Sequence, residues 1–188
     1  MKSAPALGAL LSALAFTALA AACAPAAPAA PPPASMADGD KCFGDRDYAC
    51  AEANYRGYLK LYPQDVRANA VLGITLTRES KHHDALPYFQ KAIDAGEGTY
   101  DLYANYALSL DATGDTEGAI KYNRRALDAV PSLVDVRGSL ARQLAKQGKT
   151  DEAIKLLRDF DQHLVKLGEQ PYFTAQIAAL EDKAAKKP

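Results

Sequence analysis

From Asp38 to about Ala185 the chain alternates short polar turns with stretches in which apolar residues recur three or four apart. That spacing puts the apolar side chains on one face of an α-helix, and no stretch reads as a strand. The pattern also repeats in phase. Ala51, Ala85, Ala119 and Ala153 stand 34 residues apart. Leu76, Leu110 and Leu144 keep the same interval, as do Leu72, Tyr106 and Leu140. Gly114 and Gly148 lie one period apart, Pro63 and Pro131 two. Thirty-four residues is the period of a helix–turn–helix unit that stacks into a solenoid.

With the repeated alanine as position 20, the units fall at 66–99, 100–133 and 134–167, after a truncated first unit at 36–65. In that first unit the second helix, Asp47 to Tyr62, is clear. Its first helix reduces to a short turn around Asp38–Phe43. Position 8 is small in the full units (Gly73, Ala107, Ala141), so two antiparallel helices can approach closely there and at the alanines. Large apolar residues at positions 7, 11, 21, 24 and 28 form the core stripe, for example Leu72, Leu76, Leu86, Phe89 and Ile93. Gly114 and Gly148 end first helices, where a left-handed residue is favoured. Asp115 and Thr116, and Thr150 and Asp151, suit the starts of the next helices. Pro63 and Pro131 close second helices. Residues 168–188 form a capping helix and tail, with Pro171 in its first turn and Phe173, Ile177 and Leu180 as its apolar stripe.

These residues resemble the tetratricopeptide repeat family over about 38–167. Leu72-Gly73, Gly114-Asp115, the four alanines, Ala92 and Ala126 at position 27, and the prolines fall where that family places them. The resemblance implies an all-α fold: a right-handed solenoid of antiparallel helix pairs, about three full repeats with a half repeat before them and a capping helix after. The chain departs from the family at position 4, where Asn69 and Arg137 replace an aromatic that only Tyr103 keeps. Ser80 stands for a turn glycine, Asn123 for an aromatic, and Pro87 lies within a second helix.

The N-terminus adds an address. Residues 1–22 carry one charge, Lys2, before an apolar run from Leu7 to Ala22, the pattern of an export signal. Leu19-Ala20-Ala21-Ala22-Cys23 resembles the lipobox of bacterial lipoproteins, with the favoured leucine one place early. The resemblance implies lipidation of Cys23. Cleavage after Ala20, leaving Cys23 as a thiol, is the alternative. Ala24 follows where an aspartate would signal inner-membrane retention, so the resemblance points to the outer membrane. Residues 23–35 form a tether, with five prolines between residues 24 and 35. Such a segment is stiff and extended, about 3 Å per residue. Cys42 and Cys50 remain. In an exported protein they suit a disulfide that pins the N-terminal segment to the first full helix, two buried thiols being the alternative.

The net charge of −1 becomes −2 once Lys2 leaves with residues 1–22. No basic block is present, so nucleic acid is not an expected partner. No cofactor is expected, and no catalytic constellation is read. His82-His83 is read as a hydrated inter-helix turn lacking a third metal ligand. Function is therefore expected in binding by a monomer. The family resemblance implies a concave groove lined by first-helix positions 2, 5, 9, 12 and 13, which here include Arg67, Ile74, Arg78, Asp101, Leu108, Asp111, Arg142 and Lys146. Asn105 alone matches the family's carboxylate-gripping set, so binding of chaperone C-termini is not expected. A groove of mixed charge with an apolar centre suits an extended or helical peptide. The expected partner is a cell-envelope protein or peptide met from the periplasmic face, with membrane contact only through the lipid. Assistance to pilus or secretion-system assembly is one role; an envelope adaptor for peptide or glycan, or a regulator of an envelope enzyme, are others.

Overall fold

A computed structural model describes residues 34–186. The export signal, Cys23 and nearly all of the tether lie outside the described residues. Nine α-helices and no strands make up the described part. They are α1 (Met36–Gly44), α2 (Tyr48–Leu61), α3 (Val66–Arg78), α4 (His82–Asp94), α5 (Tyr100–Ala112), α6 (Thr116–Ala129), α7 (Val134–Lys146), α8 (Thr150–Lys166) and α9 (Thr174–Ala185). Each packs on its neighbours in sequence, and α3 also touches α5, as stacked helix pairs require. The four phased alanines are fully buried.

The first pair is complete, which corrects the expectation of a short turn around Asp38–Phe43. Ser35 caps α1 by accepting the Asp38 amide at 3.1 Å. Gly39 falls at position 8, where a Cβ would lie 2.4 Å from Cε1 of Tyr55. Only glycine lets the Tyr55 ring pack there, and its hydroxyl then donates to Asp40 at 2.9 Å. Cys42 and Cys50 are disulfide-bonded, with Cα atoms 5.7 Å apart, so α1 and α2 are joined covalently.

The turn inside each pair needs one left-handed residue. Arg46, Ser80, Gly114 and Gly148, spaced by one period, have φ of 61°, 62°, 97° and 80°. The two glycines adopt this conformation freely, whereas Arg46 and Ser80 are held in it by the turn. The next residue alternates. Asp47 and Asp115 cap α2 and α6 through their side chains, whereas Lys81 and Lys149 give α4 and α8 no side-chain cap. Thr150 is thus the first residue of α8 and not its cap, and the acids Asp151 and Glu152 favour that helix end through its dipole. Pro87 is the sixth residue of α4 and forgoes one helical hydrogen bond.

The core has two parts. The first, from α1 to α6, is built around Tyr55, Leu72, Leu76, Phe89, Leu102 and Tyr106. The second, from α6 to α9, is mainly aliphatic: Ile120, Leu127, Leu140, Leu144, Ile154 and Leu157, with Phe173. They meet at α6, where buried Asn123 donates to buried Gln143 at 2.8 Å. The last helix begins at Thr174, three residues after Pro171, so the proline precedes the helix and does not open it. Asp161, nearly buried, accepts the amides of Tyr172 and Phe173 at 2.8 and 2.9 Å and so fixes the entry to α9.

Candidate binding groove

The middle first helix, α5, carries the centre of the site. Asp101, Ala104, Asn105, Leu108 and Asp111 recur three or four apart, so they share one helical face. α7 adds Asp135, Ser139, Arg142 and Gln143 in the same way, and Arg78 enters from the end of α3. Together these residues border a cavity of about 460 Å³. Leu108 forms its apolar centre and is 52% exposed, unusual for a leucine flanked by core residues. Buried Asn105 donates to the Asp101 carboxylate at 3.0 Å and to its carbonyl at 2.8 Å, which holds that acid at the rim. Arg142 donates to Ser139 Oγ at 2.9 Å, and neither Arg142 nor Arg78 forms an ion pair among the described residues.

Six of the residues expected in the groove therefore meet there: Arg78, Asp101, Asn105, Leu108, Asp111 and Arg142. Lys146 stands at the edge, its Nζ 2.8 Å from Asp111. Two others go elsewhere. Ile74 is buried in the first core, and α5 packs directly on α3. Arg67 pairs with Asp40 of α1 at 2.7 Å, and that hydrogen bond holds its guanidinium above the usual arginine range. In the sequence Asp38–Phe43 reads as a turn, which hides this partner.

The groove also gathers residues that position rules did not mark. Tyr100, Ser132, Leu133 and Val134 come from the ends of α5 and the α6–α7 turn, and Asn123 reaches it from α6. The signal for Asn123 was in the sequence, as a polar residue at an aromatic position. His82 also differs from its expected place. It opens α4, half-buried, with Nδ1 3.4 Å from Ser109 Oγ, which in turn lies 2.8 Å from Thr77 Oγ1. Among the described residues no group of three or more His, Cys, Asp or Glu side chains could hold a metal ion. No described helix is long and apolar enough to cross a membrane.

The family model of the tetratricopeptide repeat matches residues 43–98 and 72–134. No curated protein matches the chain. Among solved structures, it resembles the MamA protein with a TM-score of 0.63 and 21% identity over 80% of this chain and 84% of that one. It resembles YrrB, a tetratricopeptide protein with an unusual peptide-binding site, with a TM-score of 0.61 and 22% identity over 65% of this chain and 63% of that one. An O-GlcNAc transferase mutant of Thermobaculum terrenum aligns with a TM-score of 0.59 and 18% identity, over 68% of this chain and only 25% of the transferase. At these identities the likeness concerns the fold. The chain thus has the all-α fold of the tetratricopeptide repeat, and its residues 43–134 match the model of that family.

Proposed function

We propose that the protein is a peptide-binding scaffold of the bacterial cell envelope, exported and tethered through a lipid on Cys23. The observation that carries the binding role is the groove itself. Arg78 and Arg142, without carboxylate partners among the described residues, border it together with exposed Leu108 and the acids Asp101 and Asp135. An extended or helical segment with an apolar residue between charged ones would complement it. YrrB, of the same fold, has a peptide-binding site, which supports this reading.

The envelope assignment rests on Lys2, the apolar run to Ala22, Cys23 and the proline-rich tether. The Cys42–Cys50 bond suits an oxidising compartment. In that setting the scaffold would face the periplasm from the outer membrane and hold one envelope protein, as an assembly factor of a pilus or secretion system does. Crosslinking in living cells followed by affinity capture tests the groove. The Arg78→Glu, Arg142→Glu double variant is expected to lose the captured partner, and an unchanged partner profile refutes the groove. Palmitate labelling tests the anchor: Cys23→Ala should abolish the label and release the protein from membranes.

A further inference from the structure

Position 4 of the repeat is occupied differently in successive units. In the middle one it is Tyr103, which packs against α6. Its ring is 5.8 Å from that of Tyr122, and the Arg125 guanidinium sits 5.7 Å from its centroid. One period earlier position 4 is Asn69, and one period later it is Arg137. At both, the residue at position 4 borders a cavity. The Asn69 cleft has about 260 Å³, bordered by Arg56, Leu59, Tyr88 and Lys91. The Arg137 cleft has about 450 Å³, floored by Leu127, Leu140, Leu144 and Leu156. In each, the residue at position 4 carries a buried polar atom without a partner: Asn69 Oδ1 and Arg137 Nε. Buried polar atoms are paired as a rule, and one left over at a cavity calls for a ligand or water.

The larger cleft has a defined polarity. One terminal nitrogen of Arg137 donates to the Pro131 carbonyl at 2.6 Å, and its guanidinium lies 4.5 Å from the centre of the Phe160 ring. No carboxylate among the described residues forms an ion pair with it. Of the acids lining the cleft, Glu152 is engaged by Arg124 and Asp159 by Lys155, while Asp128 is exposed to water. Burial pushes the guanidinium below the ordinary arginine range. A partly buried cation without a counter-charge is unfavourable, and an arriving carboxylate relieves that. Arg137 and Asp159 also border a second cavity of about 330 Å³, with Pro131, Phe160 and His163. The cation thus stands between an aliphatic lobe and an aromatic one.

We propose that this cleft, on the face of α7 opposite the groove, is a second peptide site for an acidic side chain flanked by apolar residues. The carboxylate accepts from the Arg137 guanidinium. One apolar neighbour rests on the leucine floor and the other against Phe160. The two lobes on either side of one cation are what favour a peptide over a lone acid. The leucine-floored cleft shares no lining residue with the groove, whose ligand would contact α5 and the other face of α7.

The test is a titration of the ¹⁵N-labelled full chain with N-acetyl-Leu-Glu-Phe-amide, followed through the Arg137 Nε–H resonance and the backbone amides. Saturable shifts are expected at Arg137 and along α6–α8, with the Gln counterpart binding about tenfold or more weakly for loss of the charge-assisted bond. Arg137→Tyr, which removes the guanidinium and puts a ring at the cleft, should abolish the shifts. Arg137→Gln, which keeps the space and removes the charge, should erase the preference for Glu over Gln. The Arg78→Glu, Arg142→Glu variant should bind the tripeptide normally. Equal affinity for the two tripeptides, shifts that survive Arg137→Tyr, or no saturable shift up to about 10 mM ligand, weaker than a millimolar contact, overturns the proposal. Equal displacement by hexanoate overturns its peptide part.

Discussion

The two halves of the solenoid share a repeat but are held differently. From α1 to α6, five of six helices have a side-chain N-cap: Ser35, Asp47, Asp65, Thr99 and Asp115. From α7 to α9 no helix has one. The first half packs aromatic rings in contact, Phe89 to Tyr106 at 5.3 Å and Tyr106 to Tyr122 at 4.6 Å, and carries the disulfide. The second half packs mainly leucine and isoleucine, with its aromatic contacts at its end, Phe173 to Phe160 at 5.8 Å and to Tyr172 at 5.0 Å, where polar anchors also act: Asp161 on the Tyr172 and Phe173 amides, and Gln176 on the Gly138 carbonyl at 3.0 Å. A repeat period therefore fixes where contacts occur, while residue choice within it sets how firmly each half is held. In a solenoid, units can open separately. The second half is expected to open first.

Position 24 gives the strongest test, because Phe89 and Leu157 occupy it in the two halves and both are fully buried. Phe89→Ala is expected to cost about 3–5 kcal/mol and Leu157→Ala about 2–5 kcal/mol, toward the lower end. Denaturant melts give these values. In Leu157→Ala, hydrogen exchange should speed up in α7–α9 and leave α3–α5 protected. Uniform acceleration in both variants would mean a single cooperative unit and end the distinction. Reduction of the Cys42–Cys50 bond comes next, at about 2–3 kcal/mol in the chain-entropy model. Exchange in α1 should rise and that in α7–α9 should not. If α1 stays protected after reduction, the Tyr55–Asp40 and Arg67–Asp40 contacts hold it without the bond.

Smaller effects sharpen the picture. Asp161→Ala leaves two amides without their acceptor and is expected to cost about 1–3 kcal/mol. The loss should appear as selective exchange in α9, and an unaltered α9 would show that Phe173 and Leu180 alone secure it. Last, Lys149→Asp supplies the missing cap of α8 by copying Asp47 and Asp115. It is expected to raise stability by about 0.5–1 kcal/mol. A neutral or lower melting midpoint would show that capping is not what separates the halves.

Most of the architecture is legible in the sequence because it depends on residues that must be small or apolar at fixed intervals. Ala119 and Gly73 announce close helix contacts by what they lack. The first helix of unit 1 is not legible, because Asp38, Gly39 and Asp40 look like a turn until the Tyr55 ring is placed over Gly39. The left-handed turns at Arg46 and Ser80 are invisible by residue type and follow only from their register with Gly114 and Gly148. In the groove, the faces of α5 and α7 could be read from helical spacing. The loss of Ile74 to the core and of Arg67 to Asp40 could not, since each depends on a neighbour from another element. The cleft at Arg137 had a visible sign, the missing aromatic at position 4, but its cavity and unpaired Nε are properties of packing.

The alternation of capping residues at the turns, Asp47, Lys81, Asp115 and Lys149, makes the helix pairs distinguishable members of an odd–even series. Pro63 and Pro131 keep the same parity. Inserting one pair within such a series would place two like members side by side, whereas inserting two would preserve the alternation. In its turn caps the repeating element is thus a doublet, twice the period that the alanines announce.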